Sequence, residues 1–137
     1  MEAINCLDLR GQHQQIKKEI FEAFEKVYEK TAFSGGPFVE EFEKGFAPYV
    51  GSNFAIGVAN GTIALHLAML TLGIGAGDEV IIPANTFIAT AWGVSHAGAT
   101  PVFVDCDANS WEIDASKIEA AITPRTKAVI GVHLYGQ

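Results

Sequence analysis

The sequence predicts an α/β fold in which a mostly parallel sheet carries helices on both faces. From Phe54 onward, short β-rich runs alternate with helix-length apolar runs. Clusters of Gly, Pro and Asn punctuate them at the changes of period. With 49% hydrophobic and 18% charged residues, the 137-residue chain has the apolar content and the length for one ordinary domain with a two-sided core.

Residues 12–31 read as an amphipathic helix, with Ile16, Ile20, Phe24 and Val27 on one stripe and charged residues elsewhere. Glu22 and Lys26 stand at favourable i,i+4 spacing. The run Ser34-Gly35-Gly36-Pro37 interrupts this helix. A second is expected from Pro37, with Phe38, Phe42 and Phe46 on one face and Pro48 and Gly51 at its end. Thereafter strands are expected at 54–59, 79–82, 101–104 and 127–134, with a short or irregular strand at 111–114. Helices are expected at 63–72, 86–96 and 115–122. The helix at 63–72 is apolar almost all round, as in a helix sandwiched between a sheet and another layer. The last strand reads as central and fully buried, yet the sequence runs only three residues past it; the expectation is a single, incomplete domain. Within it, residues 1–51 form amino-terminal helices and 52–137 form part of an α/β layer.

A formal charge of −7 argues against non-specific nucleic-acid binding and against an anionic membrane surface. No apolar run approaches the roughly 20 residues of a membrane span, and the first residues carry no secretory-signal pattern. Cys6 and Cys106 stand far apart with no metal spacing, so reduced thiols and a cytoplasmic location are expected. His13, His66, His96 and His133 are scattered, and no metal site is expected.

Ligands of such sheets sit beyond the carboxyl ends of the strands. Asn60-Gly61-Thr62, residues 83–87 and Asp105-Cys106-Asp107 all follow expected strands. Thr62 is a natural N-cap, and Gly61 lets a ligand approach the backbone at the helix mouth, where free N–H groups favour a phosphate or other anion. A structural turn with an ordinary cap is the commoner meaning of such a tripeptide. Phe87 could stack on a flat ring or be ordinary core. Asp105 and Asp107 could act as acid and base, although paired Asp after a strand are more often turn and cap residues. His133 is a further acid/base candidate. Gly73, Gly75 and Gly77 lie between a helix and a strand, the wrong order for a dinucleotide fingerprint, and read as a helix end and turn.

Four runs, taken in order, carry a resemblance: 34–43 (SGGPFVEEFE), 58–65 (VANGTIAL), 77–90 (GDEVIIPANTFIAT) and 132–137 (VHLYGQ). Together they resemble the DegT-type family of pyridoxal 5'-phosphate (PLP) aminotransferases that act on nucleotide-linked keto-sugars. The resemblance implies the amino-terminal part of the large domain of a fold-type I PLP enzyme. It also implies PLP as cofactor, with Gly61 and Thr62 on its phosphate and Phe87 stacked on its pyridine ring. Residues 34–37 would lie near the sugar nucleotide and the dimer interface, and the complete protein would be a homodimer using an amino donor such as glutamate. Residues 84–90 and 133–137 look more like members that aminate C3 than C4. Transamination needs a Schiff-base lysine and an acid for the pyridine nitrogen. The family carries both downstream of the motif at 132–137, so none of Lys17, Lys18, Lys26, Lys30, Lys44, Lys117 or Lys127 is expected to serve. The chain is thus expected to be an amino-terminal fragment that does not transaminate by itself. A sugar dehydratase of the same family and a non-catalytic remnant that assembles with a partner are the alternatives.

Overall fold

A computed structural model describes residues 8–137; Cys6 lies outside them. The chain divides into two compact units, Met1–Gly57 and Val58–Gln137.

The first unit holds two helices, α1 (Arg10–Glu29) and α2 (Pro37–Tyr49). The expected apolar stripe on α1 is present, but Ile16, Ile20 and Phe24 are exposed within the unit. Glu22 pairs with Lys18 at 3.7 Å, not with Lys26. Pro37 occupies the first turn of α2, where its missing N–H costs nothing, after Gly36 at φ 87°. Phe42 stacks on Phe46 with ring centroids 5.2 Å apart. Glu43 then ties down the following segment, its Oε1 accepting from the Gly57 N–H at 2.6 Å.

Residues 54–59, expected as a strand, are not one. A strand is defined by its ladder, and no described segment pairs with these residues. Phe54 and Ile56 are accordingly more than four-fifths exposed.

The second unit contains α3 (Gly61–Thr71), β1 (Glu79–Pro83), α4 (Ala89–His96), β2 (Thr100–Val104), α5 (Ala115–Ala121), β3 (Thr126–Val129) and a short 3-10 turn, Leu134–Gly136. The three strands form a parallel sheet in the order β2-β1-β3. The central strand is therefore β1, and Val80, Ile81 and Ile82 are fully buried. Successive side chains of a strand point to opposite faces, so both faces of β1 are covered. Pro83 ends the strand, where its lack of an N–H is harmless, and the next N–H, of Ala84, reaches the Val104 carbonyl at 2.8 Å. Among the described residues β3 pairs on one side only, with β1, and its exposure alternates, where a buried strand was expected; Val129 is 46% exposed. One further bond, Ile130 N–H to the Ile81 carbonyl, extends its pairing before the chain turns.

Met69 of α3 and Ala91 and Val94 of α4 pack with Ile74, Val80, Ile82 and Ala99 into the core. Helix α3 is apolar on all sides, but only part of it is covered: Met69 is buried, while Leu67 and Leu70 stay exposed. Gly73 at φ 70° closes α3, with the Ile74 N–H returning to the Met69 carbonyl, and Asp78 Oδ2 accepts from the Gly75 N–H. The glycine-rich run is a helix end and turn, as its order predicts. Among the described residues no helix is long and apolar enough to cross a membrane.

Two contacts fix the second unit. At the amino end of β1, the buried Glu79 carboxylate accepts from the Thr123 hydroxyl and from the Arg125 guanidinium, while the Glu79 N–H bonds the Arg125 carbonyl at 2.9 Å. Arg125→Ala would strip that carboxylate of its cation. Because the Arg125 side chain is 67% exposed, water can partly replace it, and the expected loss is about 1–2 kcal/mol in urea unfolding. An unchanged midpoint would reduce the pair to a surface contact. Between α3 and α4, a Cβ added at Gly93 would lie 2.6 Å from Leu65 Cβ. Gly93→Ala gains up to about 1 kcal/mol of helix propensity but forces the helices apart at a cost of about 1–3 kcal/mol. The net expectation is a lowered Tm; a raised Tm would show that the helices separate freely.

Candidate functional site

The path along α3 and α4 sets the site. Leu65 meets Gly93, and one residue further along α3, His66 meets His96, with ring centroids 5.8 Å apart. Later residues meet later residues, so the two helices run in the same direction. Their amino termini therefore lie at one end. Because α4 follows β1 through residues 84–88, that end is the carboxyl end of the central strand.

At the mouth of α3 the cap is Asn60 and not Thr62. Asn60 has extended backbone (φ −170°, ψ 174°), and its Oδ1 accepts from the Ile63 N–H at 3.0 Å. Its carbonyl takes the Ala64 N–H. Gly61 and Thr62 are consequently the first two helical residues. Asn is at least as good a cap as Thr, and the residue before an apolar run that can adopt extended φ/ψ takes the role. The correction matters chemically, because a capping Thr62 would spend its hydroxyl on the helix. Here that hydroxyl has no partner among the described residues, and neither do the N–H groups of Gly61 and Thr62. A Cβ built at Gly61 meets no atom within 4 Å. The mouth thus offers two N–H donors, a hydroxyl, the positive end of a helix and open space, a donor set that fits a phosphate.

Residues 84–88 form an arch between buried Pro83 and buried Ala89. Helix α4 starts at Ala89 and not at Thr86 as expected, so Phe87 precedes the helix. Phe87 is 72% exposed, which overturns the core reading of this residue. Beneath it, the Phe87 carbonyl accepts from the Thr90 N–H at 3.0 Å, and the Thr86 and Thr90 hydroxyls lie 2.9 Å apart. The hydroxyl pair is a feature that sequence reasoning missed; threonines at i and i+4 astride a helix start are its signal.

Asp105 and Asp107, which follow β2, are turn residues. Asp107 Oδ1 accepts from the Asn109 and Ser110 N–H groups at 2.9 Å each, and these bonds hold its carboxyl below the usual range. The Cys106 N–H and the Lys117 ammonium do the same for Asp105. Both stay ionised near neutrality and make poor proton donors. Asp114 caps α5, its Oδ1 accepting from the Ser116 N–H.

Lys117 reaches the carboxyl end of β2 more closely than its helical position suggests, 3.2 Å from Asp114 and 3.4 Å from Asp105. Those carboxylates, Asp114 foremost, raise its pKa and keep it a cation, the wrong state for a nucleophilic amine. Lys127 lies on β3, and Lys18 and Lys44 pair with glutamates on their own helices. His133 follows the β3 extension, its Nδ1 donating to the Gln137 carbonyl at 2.8 Å, with Glu112 3.7 Å away. His66 and His96, far apart in sequence, meet on the flank of the helix pair, with Trp92 stacked on His96.

Residues 14–137 match the model of the DegT/DnrJ/EryC1/StrS aminotransferase family. A GDP-perosamine synthase of Caulobacter vibrioides is 59% identical over 104 residues, covering 76% of this chain and 28% of that protein. A dTDP-3-amino-3,6-dideoxy-alpha-D-galactopyranose transaminase of Aneurinibacillus thermoaerophilus is 50% identical over 134 residues, covering 98% of this chain and 37% of that protein. The chain thus spans about a third of the length of these curated relatives. Streptomyces venezuelae DesV, solved with a ketimine intermediate, superposes on the whole chain with a TM-score of 0.89 at 42% identity, over 37% of its own length. A putative sugar aminotransferase of Streptococcus pneumoniae, solved in PLP and PMP forms, superposes with a TM-score of 0.77 at 39% identity over 84% of this chain and 30% of its own. With helix mouth, arch and sheet all within the matched region, this chain belongs to the DegT/DnrJ/EryC1/StrS family of aminotransferases.

Proposed function

We propose that this chain supplies the phosphate-binding and ring-stacking side of the PLP site in a nucleotide-sugar aminotransferase. The complete protein would transfer an amino group from an amino-acid donor such as glutamate to the keto carbon of a nucleotide-linked 6-deoxy sugar. The observation that carries this reading is the mouth of α3. Because Asn60 does the capping, the Gly61 and Thr62 N–H groups and the Thr62 hydroxyl remain free at one place.

Each residue has a physical task. The N–H groups of Gly61 and Thr62, backed by the helix dipole, hold the cofactor phosphate, and the Thr62 hydroxyl adds one charge-assisted bond. The exposed Phe87 would supply an aromatic surface on which the cofactor ring could stack and be shielded from water. When bound, PLP supplies the electron sink that amino transfer requires. The acid for the pyridine nitrogen and the attaching lysine are not among the roles taken by residues of the site described, since Asp105 and Asp107 are turn residues and Lys117 is held as a cation.

Amination at position 3 of the sugar is part of the proposal, supported by the names of two relatives matched over 98% of this chain. Besides the 3-amino-3,6-dideoxygalactose transaminase, a UDP-N-acetyl-3-dehydro-alpha-D-glucosamine 3-aminotransferase of Acidithiobacillus ferrooxidans is 47% identical over 98% of this chain. A homodimer is part of the proposal, with residues 34–37 near the shared interface.

In the protein expressed from its complete reading frame, Thr62→Val should weaken retention of PLP by roughly 1.5–3 kcal/mol, the worth of a charge-assisted hydrogen bond. Equilibrium dialysis against PLP measures it, and unchanged affinity would return Thr62 to a plain helical residue. The same protein, given glutamate and a nucleotide-linked 3-keto-6-deoxy sugar, should release 2-oxoglutarate and a 3-amino sugar. Loss of water from the sugar without uptake of nitrogen would instead make the protein a dehydratase.

A further inference from the structure

An exposed phenylalanine on a loop is useful for stacking only if the loop holds it still. Residues 84–88 have buried residues at both ends, Pro83 and Ala89, yet Phe87 between them is 72% exposed. Helix α4 has no side-chain cap at its amino terminus, and Ile88 joins it only through its carbonyl, which accepts from the Trp92 N–H at 3.0 Å. Two further ties run through Thr90. Its N–H holds the Phe87 carbonyl at 3.0 Å, and its hydroxyl, on a side chain only 5% exposed, meets the Thr86 hydroxyl at 2.9 Å. The two bonds bracket Phe87, one on the residue before it and one on its own carbonyl.

We infer that Thr86 is a positioning residue for the cofactor ring: its hydroxyl bond to buried Thr90 locks the arch that presents Phe87. The inference rests on the reading of Phe87 as the stacking residue of the PLP site. A hydroxyl pair suits the task because each member can donate to the other, so one bond persists whichever proton is used. Thr90 is only 5% exposed, so little water is at hand to replace the Thr86 hydroxyl, which makes the bond costly to break. With the arch locked, the ordering of Phe87 is met on folding and not on binding, and cofactor affinity gains by that difference.

The test is a double-mutant cycle on affinity for pyridoxamine 5'-phosphate, which binds without a covalent bond to the protein. Its fluorescence is titrated with the protein expressed from its complete reading frame. Phe87→Ala should weaken binding about tenfold, the loss of one stacked ring. Thr86→Val should weaken it about fivefold when Phe87 is present and by less than about twofold when Phe87 is Ala. Thr86→Ser, which keeps the hydroxyl, should restore affinity. An equal loss from Thr86→Val in both backgrounds makes Thr86 a purely structural residue and overturns the inference while leaving the stacking role of Phe87 standing. No loss from Phe87→Ala overturns the stacking role and the inference with it. If valine is not accommodated beside Thr90, the same cycle with Thr86→Ala decides by the same two comparisons.

Discussion

Everything in the second unit hangs on the burial of β1. Its three central residues have no contact with water on either face, and it is hydrogen-bonded along both edges, to β2 and to β3. Full burial of three branched side chains contributes several kcal/mol, on the order of 1.5–3 kcal/mol each, before chain entropy is counted. That burial also sets direction. In a parallel sheet every strand delivers its carboxyl end to the same side, so the arch after β1 and the turn after β2 are brought together without any contact dedicated to the purpose. The amino end is secured separately, by the Glu79 carboxylate between Thr123 and Arg125.

The groups at the carboxyl end share a pattern: each is left free because a neighbour does the structural work. Asn60 caps α3, so the Thr62 hydroxyl is not consumed. Thr90 holds the arch from within the core, so the Phe87 ring does not need to bury itself to be ordered. By contrast, Asp105, Asp107 and Lys117 have spent their capacity on turns and on one another. Their shifted pKa values follow from that use, and they mark a well-made connection between β2 and α5 and not a reactive pair.

Which parts of this were legible beforehand follows the range of the forces involved. The alternation of apolar runs predicted the parallel α/β layer, and Pro37 and the Gly73 turn were placed by backbone chemistry that acts within a few residues, whereas Pro48, expected at the end of α2, lies inside it. The resemblance in residues 58–65 and 77–90 pointed to Gly61, Thr62 and Phe87. The errors are equally instructive. Residues 54–59 have the composition of a strand, but a strand exists only with a partner, and pairing is not written in a segment's own residues. The cap stands two residues before Thr62 because Asn60 and Thr62 are both good caps, and only the backbone angles choose between them.

The sequence by itself determined the class of fold, the family and the three residues proposed to meet the cofactor, because periodicity, turn chemistry and motif are local properties of the chain. Only the tertiary structure decided that Phe87 is exposed, that Thr62 keeps its hydroxyl free, that Thr86 and Thr90 meet, and that β1 lies between β2 and β3. Those outcomes depend on which distant segments pack together. Burial and hydrogen-bond partnership are properties of pairs of residues, and the pairs form only when the chain has folded.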